Sequence, residues 1–418
     1  MMIEKIILKK QRGKKLSKKE INFFVQGYTN GEISDADMTL LLTAIRDYGM
    51  NFRETYNLTI SMLNSGETLD LSRLGSCADK HSSGGVGDST TLLLAPILAS
   101  VGVKIVKLSG GSLGRTGGTI DKYKVLGVRT DLSVDEAKEV AEKVGAVILQ
   151  QTEELDPADK KIYALRSKTN AVASIPLIAS SIISKKLASG AKTIVLDVKF
   201  GEGAIVSKLN EAKELAYIML KILKKQKIAC KAIISDMNQP LGYAVGDEVE
   251  IREVISLLKS GADTRLLRLA KYIAGLIYQM QTGSPLGEAL KIVSGAVERK
   301  SAYNKFREMT LAQGGNLELF DLPSIRGDMF FSEQDGFVKS IDAKLLETCV
   351  QEMKKQDLSS KGILTYVKVG NEIKKGAKMF EIFAPKKTYE KYLEQIKKCF
   401  IITDEKIDEL PLIYDILD

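Results

Sequence analysis

Two glycine-rich segments, each following a run of apolar residues, constrain this chain more than any other feature. They read Asp79-Lys-His-Ser-Ser-Gly-Gly-Val-Gly-Asp88 and Ser109-Gly-Gly-Ser-Leu-Gly-Arg-Thr-Gly-Gly-Thr119. Glycines let successive backbone N–H groups point into one hollow, and hydroxyls and a lysine add donors, which is how proteins hold a phosphate dianion. Ordinary strand-to-helix turns are also rich in Gly and Ser. Two such loops in tandem nevertheless favour a site for phosphate or a nucleotide-like ligand.

The composition fits an intracellular globular protein. The chain has 418 residues, enough for two or three domains, and 44% of them are apolar, enough for full cores. The net charge of +8 comes largely from lysines on predicted helix faces, a solvated surface that would still attract anions. Basic residues are not interleaved with aromatic ones, so we expect no nucleic-acid partner.

The cysteines and the first residues indicate the compartment. Cys77, Cys230, Cys349 and Cys399 lie far apart without a CxxC motif, which predicts reduced thiols and no zinc site. The first 19 residues are too charged for a signal peptide, and no apolar run reaches about 18 residues. We therefore expect a cytoplasmic protein that does not contact membranes.

Along the chain, segments with a purely helical pattern are interspersed with segments in which predicted strands and helices alternate. Ser17 and Glu20 form a capping-box pattern, Asp35 and Asn51 are further candidate caps, and two helices are expected between 261 and 314. We predict a helical domain at 1–68 and 155–190, an α/β domain at 69–154 and 191–335, and a C-terminal α/β subdomain at 336–418. The fold class is therefore α/β: a discontinuous small helical domain plus a large α/β domain with a mixed sheet, with the active site in the cleft between them.

A few side chains outside the loops could carry chemistry. Ser181 and Lys185 are four residues apart on a predicted helix and share a face, and Arg166 lies one helix earlier. They are either ordinary surface residues or the helical wall of a cleft, donating to a planar ligand with carbonyl oxygens such as uracil or thymine. His81, the only histidine, is either structural or a hydrogen-bonding partner of a leaving base.

The chain also carries a series of motifs that resemble, in order, those of the thymidine/pyrimidine nucleoside phosphorylases. The resemblance covers nearly the whole chain and rests on the segments 24–32 (Phe-Val-Gln-Gly-Tyr-Thr-Asn-Gly-Glu), 80–88, 117–122 (Gly-Gly-Thr-Ile-Asp-Lys), 163–166 (Tyr-Ala-Leu-Arg), 175–178 (Ile-Pro-Leu-Ile), 184–188 (Ser-Lys-Lys-Leu-Ala), 196–199 (Leu-Asp-Val-Lys) and 240–246 (Pro-Leu-Gly-Tyr-Ala-Val-Gly). It implies a homodimer whose cleft closes over the substrate. It also implies reversible phosphorolysis, in which inorganic phosphate and uridine, thymidine or deoxyuridine give free base and (deoxy)ribose 1-phosphate. No organic cofactor is implied.

The resemblance further implies site residues, position by position. The phosphate site would be formed by Lys80, Ser82, Thr91, Lys107, Ser109 and Thr119. The base site would be formed by His81, Leu113, Tyr163, Arg166, Ser181 and Lys185, of which His81, Arg166 and Lys185 would act as the catalytic residues. Some members of the family bind a potassium ion, and the matching positions are Gly87, Ser89, Leu241, Ala244 and Glu253.

The chain departs from the family pattern mainly inside the second loop. Gly111, Ser112 and Arg115 replace the usual Arg, Gly and His, and Ile205 stands where an aromatic residue or Met is common. The alternatives are therefore a phosphorylase with altered nucleoside specificity and a non-catalytic nucleoside- or phosphate-binding homologue. An enzyme like anthranilate phosphoribosyltransferase would need paired acidic residues for magnesium diphosphate, and no such pair lies near these loops.

Overall fold

The computed structural model describes residues 2–109, 118–152, 154–169, 174–321 and 327–418. The helices are α1 (Met2–Gln11), α2 (Lys18–Thr29), α3 (Asp35–Tyr48), α4 (Phe52–Leu63), α5 (Thr90–Ser100), α6 (Thr119–Lys124), α7 (Val134–Val144), α8 (Pro157–Lys168), α9 (Ile175–Ala188), α10 (Leu209–Lys225), α11 (Asp247–Ser260), α12 (Arg265–Thr282), α13 (Leu286–Glu298), α14 (Ser301–Ala312), α15 (Ala343–Gln356), α16 (Lys386–Tyr389) and α17 (Leu393–Lys398). The strands are β1 (Ala78–Ser82), β2 (Ile105–Ser109), β3 (Ala146–Gln150), β4 (Thr193–Phe200), β5 (Ala229–Asp236), β6 (Ala244–Val245), β7 (Asp328–Phe331), β8 (Gly336–Ile341), β9 (Gly362–Thr365), β10 (Glu372–Ile373), β11 (Lys378–Phe383), β12 (Phe400–Thr403) and β13 (Ile413–Leu417). None of the helices described here is long and apolar enough to span a membrane.

The N-terminal helices begin largely where their capping signals predict. Ser17 and Asn51 both form capping boxes with the glutamate three residues later. The prediction for α3 was wrong by one residue, because the hydroxyl of Ser34 accepts the N–H of Asp37 and is the cap. Asp35 instead accepts the Tyr28 hydroxyl at 2.9 Å, so its side chain is already engaged beside the cap.

The helical part of the fold is discontinuous in sequence. Helices α8 and α9 pack against α2 and α4, and they bury Ile162, Leu165 and Leu177 in the same core as Phe24 and Leu58. The expected return of this segment to the N-terminal bundle is thereby confirmed. Helices α8 and α9, which would form one wall of a cleft at the sheet edge, are therefore about 100 positions away in sequence from the N-terminal helices on which they pack.

The large part contains a six-stranded mixed sheet in the order β13-β5-β4-β1-β2-β3. Strands β5, β4, β1, β2 and β3 are parallel, and β13 runs antiparallel to β5. The register places His81 opposite Leu196 and Ser82 opposite Asp197. Since the carboxyl ends of parallel strands meet at one edge, both glycine-rich segments start from the same side of the sheet.

Between residues 261 and 314 the structure contains three helices, α12, α13 and α14, where the sequence pattern predicted two. The first break is marked by the left-handed Gly283 and by Pro285. The second break is at Lys300, a non-glycine residue with φ of 60°, and no glycine or proline announces it. A helix end that relies on a left-handed lysine carries no local signal in the sequence.

The C-terminal part forms two small antiparallel sheets, in the orders β10-β8-β12 and β6-β9-β11-β7, before β13 returns to the main sheet. It holds the segment 239–245 from outside. The N–H of Thr365 donates to the Tyr243 carbonyl at 2.8 Å, and the N–H of Val369 donates to the Gln239 side chain at 2.9 Å. This support fixes the loop that lies next to Gly87 in the first glycine-rich segment.

Candidate active site

Most of the predicted site residues that the structure describes lie where β1, β2 and β4 end and helices α8 and α9 begin to cover the sheet edge. A buried group of charges lies under the first loop. Lys80 and Lys199 place their ammonium nitrogens 3.0 and 2.8 Å from the same oxygen of Asp197, Oδ2. The other oxygen of Asp197 accepts the Ser235 hydroxyl at 2.5 Å. Two cations share this one carboxylate, so the group is rich in positive charge.

Asp88 balances part of that charge. Its Oδ2 lies 3.6 Å from the Lys199 nitrogen and 3.9 Å from that of Lys80, and it accepts the Ser82 hydroxyl at 2.7 Å. Burial by itself would raise the pKa of this carboxyl, but the ammonium groups of Lys199 and Lys80 hold it well below its usual value. Asp88 is therefore ionised and fixes the position of Ser82 at the start of the loop.

A second buried group surrounds Asp79. The Lys186 ammonium lies 2.6 Å from Asp79 Oδ2 and donates to the Leu108 carbonyl at 2.9 Å. Lys107 is held more loosely: in the part of the chain that the structure describes, its nitrogen is 3.9 Å from Asp79 Oδ1 and 3.5 Å from the Leu108 carbonyl. Burial and the nearby Lys186 ammonium place the pKa of Lys107 well below its usual value. A bound anion would relieve both effects.

His81 lies near the end of strand β1 and is partly exposed at the sheet edge. Burial of its ring and the neighbouring ammonium groups of Lys186 and Lys107 lower its pKa well below the usual value. The imidazole is therefore neutral at neutral pH. It can donate one hydrogen bond and accept another, but it does not add a positive charge to the site.

The opposite wall is formed by the four predicted residues of α8 and α9. The Lys185 ammonium donates to the Ser181 hydroxyl at 2.9 Å and lies 5.4 Å from the centre of the Tyr163 ring. The Arg166 guanidinium carbon is 5.9 Å from that ring centre, and Nη1 donates to the Leu177 carbonyl at 3.0 Å. Burial lowers the pKa of Arg166 to about 10, so it remains a cation at neutral pH. The wall presents a hydroxyl, two cations and an aromatic face.

The structure describes three of the remaining predicted phosphate- and base-site residues and does not describe the fourth. Thr91 is buried in the first turn of α5, Ser109 ends β2, and Thr119 begins α6. Leu113 lies outside the described residues, as do the departures at Gly111, Ser112 and Arg115. The placed residues thus surround the edge of the sheet from three elements.

The five positions matched to the family's potassium site lie together. The Ala244 carbonyl oxygen is 2.9 Å from where a Cβ on Gly87 would be, and Leu241 donates its N–H to the Val86 carbonyl at 3.0 Å. The carboxylate of Glu253 accepts the N–H groups of Tyr243 and Ala244 at 2.7 and 3.1 Å. Burial raises the pKa of Glu253 to about 7.

Glu250 and Lys368 lie next to these five positions. Ser89 donates its hydroxyl to Glu250 at 2.8 Å, and the Lys368 ammonium donates to the carbonyls of Pro240 and Gly242 at 2.6 and 2.5 Å. Lys368 therefore binds the carbonyls of the residues on either side of Leu241. Leu241 itself is one of the positions matched to the potassium site. Within the described ranges, no group of three or more His, Cys, Asp and Glu side chains could hold a metal ion. Carbonyl oxygens would have to provide most of the ligands here.

Several residues of the site were not predicted from the sequence. Asp197 and Lys199 lie in strand β4, whose other residues are mostly buried and apolar, Asp79 is fully buried in the polar strand β1, and Asp156 and Asp159 lie behind Lys185. The usable signal was the presence of charged residues inside strand-like apolar runs, since such residues are almost never buried unless they are paired.

Comparison with known proteins places the chain among glycosyl transferases. Residues 74–274 match the model described as "Glycosyl transferase family, a/b domain", and residues 4–66 match "Glycosyl transferase family, helical bundle domain". These two matches correspond to the sheet region and to helices α1–α4.

Curated relatives cover almost the full chain. A pyrimidine-nucleoside phosphorylase of Geobacillus stearothermophilus is 40% identical over 99% of both chains. One of Staphylococcus epidermidis is 40% identical over 99% of this chain and 98% of its own. One of Bacillus subtilis is 38% identical over 95% of both.

Among solved structures, the anthranilate phosphoribosyltransferase of Thermus thermophilus is similar with a TM-score of 0.62. The match covers 74% of this chain and 99% of that one at 17% identity. At this identity the similarity concerns the fold alone: a helical domain together with an α/β domain.

Inorganic phosphate is expected to bind with uptake of a proton. A dianion beside Lys107 favours its charged form, so binding raises a pKa that is depressed in the free protein. Between the free and bound pKa values, affinity should fall by up to about tenfold per pH unit as the pH rises. Isothermal titration calorimetry in two buffers of different ionisation enthalpy measures the protons taken up. Lys107→Met should abolish the uptake and the exposed Lys208→Met should not; equal uptake in all three proteins would contradict the assignment.

Proposed function

The chain belongs to the glycosyl transferase family of the pyrimidine-nucleoside phosphorylases, and on this premise we propose that it is itself a pyrimidine-nucleoside phosphorylase. It is then a pentosyltransferase that moves the (deoxy)ribosyl group of uridine, thymidine or deoxyuridine to inorganic phosphate. The observation that carries the proposal is the arrangement of two donor sets around one sheet edge. Lys80, Lys107 and the glycine-rich loop form the anion side, and the four residues of α8 and α9 form the base side.

In this reaction the protein mainly has to position the reactants and stabilise the charges that develop in the transition state. A phosphate oxygen forms the bond to the anomeric carbon while the bond from that carbon to the base nitrogen breaks. The electron pair of the broken bond stays with the base, and the proton of hydrogen phosphate ends on the base. Positive charge develops on the sugar in the transition state, and the phosphate dianion lies beside it.

The residues have distinct roles in this scheme. Lys80, Ser82, Thr91, Lys107, Ser109 and Thr119 would hold the phosphate. Arg166 and Lys185 would donate to the base carbonyls as these gain negative charge, and the neutral His81 would donate a hydrogen bond to the same base. Ser181 and Tyr163 would set the plane of the ring. Fixed donors in a site that excludes water would favour phosphate over water as the nucleophile.

One observation favours a second candidate, a phosphorylase with altered nucleoside specificity. The Ile205 side chain is 43% exposed, and its Cδ1 is 3.9 Å from where a Cβ on Gly84 would be. It therefore lies at the rim of the first loop, where the family commonly has a larger side chain. A smaller, branched residue there leaves more room beside the bound nucleoside.

Release of free base is the test of the proposed function. With phosphate, the protein should convert uridine, thymidine or deoxyuridine to uracil or thymine, as measured by chromatography. Lys185→Ala should lower kcat/KM by roughly 10²–10³-fold, because it removes a charged donor to the developing negative charge. The exposed Lys208→Ala is the matched control and should retain full activity. Phosphate or nucleoside binding without release of base from any of these nucleosides, cytidine or adenosine would favour the non-catalytic alternative.

We also propose that a potassium ion binds at Gly87, Ser89, Leu241, Ala244 and Glu253. The clustering of these residues supports the proposal, as does a buried Glu253 carboxylate whose pKa of about 7 a nearby cation would lower. The Lys368 ammonium donates to the carbonyls of Pro240 and Gly242 and leaves that of Leu241 between them. The ion would link the first glycine-rich segment to the segment 240–244.

Potassium should therefore stabilise the protein in solution. The melting temperature should be a few degrees higher in potassium chloride than in choline chloride at the same ionic strength, because a ligand of the folded state shifts the equilibrium by mass action. Glu253→Gln should remove most of that difference, while the exposed Glu139→Gln should leave it unchanged. A melting temperature that is identical in the two salts would argue against the site.

The assembly and location remain proposals as well. We propose a homodimer, supported by the exposed apolar side chains of Met2, Leu8, Leu40 and Tyr48 on the packed helices α1 and α3. Sedimentation equilibrium should give twice the chain mass of 45.9 kDa, and Leu8→Glu with Leu40→Glu should return it to the single mass. A single mass for the unaltered protein would refute the dimer. A cytoplasmic location is supported by four free cysteines and is measured by cell fractionation.

A further inference from the structure

A buried aspartate at the start of α8 is not used by the reaction described above. Asp156 is the N-cap residue of this helix, with φ of 54° and ψ of 53°, and it is 0% exposed. An N-cap normally has an extended backbone, from which its side chain accepts an N–H of the first turn. Asp156 is left-handed and makes no side-chain cap hydrogen bond. Its carboxyl group is therefore available for another role.

That carboxyl group lies beside the ion pair of the base wall. Asp159, three residues later, holds the Lys185 ammonium through its Oδ2. Asp156 and Asp159 occupy the N-cap and N3 positions of the same helix, and the Asp159 carboxylate acts directly on the carboxyl group of Asp156. In the described parts of the chain, Oδ1 of Asp159 and both carboxyl oxygens of Asp156 are buried without a hydrogen-bond partner. Three acceptor oxygens thus lie in one place without a well-formed hydrogen bond, and the Ser184 hydroxyl and the Asp159 N–H are the nearby donors to Asp156.

A single proton would resolve this arrangement. Asp159 has the Lys185 ammonium as its ion-pair partner, whereas the Asp156 carboxyl group has no salt bridge among the described residues, and a buried carboxylate without such a partner is costly. Protonation of Asp156 removes that charge and creates an O–H that can donate to Asp159 Oδ1. Burial and the adjacent Asp159 carboxylate raise the pKa of Asp156 well above its usual value, and Lys185 and the Ser184 hydroxyl offset this only in part.

We propose that Asp156 and Asp159 share one proton behind Lys185, and that Asp156 is thereby a positioning residue for the base-binding ammonium group. This inference rests on the proposed function for its effect on catalysis. With the proton in place, Lys185 faces one net negative charge and keeps donors for Ser181 and for the base. Loss of the proton adds a second carboxylate, which draws the ammonium group back toward α8.

Among the residues that the structure describes, few other charges face the carboxyl pair. On α8, Arg166 is the next cation, and it acts on Asp159, whereas the charges that act on Asp156 are those of Asp159 and Lys185. On α9, Lys185 is the facing cation, and across the cleft His81 is neutral. On the side of α4, the contact is polar but uncharged: the Ala158 N–H donates to the Ser65 hydroxyl at 3.1 Å. The shared proton is therefore set mainly by Asp156, Asp159 and Lys185.

Asp156→Asn tests the proposal, because asparagine keeps the shape and the donor of the protonated acid and tolerates the left-handed backbone. An acid whose pKa is raised in the folded state reduces stability as the pH rises from its unfolded pKa, about 4, to its folded pKa. The variant should therefore melt at the same temperature as the unaltered protein at acid pH and a few degrees higher at pH 8. The exposed Asp135→Asn, in the first turn of α7, should show no such pH-dependent gain.

The catalytic arm of the test uses the pH profile. The alkaline fall of kcat/KM for phosphorolysis should move to higher pH in Asp156→Asn and remain unchanged in Asp135→Asn. Melting curves of Asp156→Asn that parallel those of the unaltered protein at every pH would overturn the shared proton. A pH-dependent stability gain with an unshifted kcat/KM profile would overturn the positioning role. The melting arm needs no turnover, so a stability gain in a protein that cleaves no nucleoside would keep the shared proton and reject the phosphorylase.

Discussion

One buried ion pair joins the two sides of the site. Asp79 on β1 and Lys186 on α9 both have side chains that are 0% exposed, and Lys186 also donates to the Leu108 carbonyl of β2. Such a pair adds little net stability compared with apolar residues, but removing one partner costs about 3–5 kcal/mol. Its effect is therefore on geometry. On α9, Lys185 directly precedes Lys186 and lies one turn after Ser181. The ion pair between Lys186 and Asp79 therefore fixes the position of the base wall relative to the sheet edge.

The same low-dielectric surroundings determine the charge states that the chemistry uses. Around β1, β2 and β4, the lysines at 80, 107, 186 and 199 exceed the aspartates at 79, 88 and 197 by one once Lys107 is protonated, and the adjacent His81 is neutral. A surplus cation beside backbone donors is the arrangement that a phosphate dianion completes. A neutral imidazole avoids adding still more positive charge, which would repel the cationic sugar in the transition state. The buried aspartates thus limit the surplus rather than abolish it.

The sequence was sufficient for features that have local causes. Capping boxes at Ser17 and Asn51 and apolar runs such as 193–198 predicted the helices and strands to within a few residues. The site predictions depended on a resemblance, and the structure brings the described residues together without testing their roles. The partners Asp79, Asp197 and Asp159 were missed because ion pairing across strands and helices depends on register, which no local pattern encodes. The break at Lys300 was missed because a lysine occupies the left-handed position where a glycine would usually mark the end of a helix.

The chain crosses between the helical part and the sheet at segments that lie side by side. Glu67 donates its N–H to the Glu154 carbonyl at 2.7 Å, and Leu69 donates to the Ala188 carbonyl at 2.9 Å. A Cβ on Gly66 would lie 2.3 Å from the Glu154 carbonyl oxygen, and one on Gly190 would lie 2.1 Å from that of Leu69, so the crossings pack too closely for side chains. Any rotation of α8 and α9 toward the phosphate side would therefore require a change in the backbone of these closely packed crossing segments. Asp156 lies within them, with its backbone N 3.0 Å from where a Cβ on Gly66 would be. Loss of the proton proposed for its carboxyl group would therefore place a negative charge within the segment about which the base wall would turn.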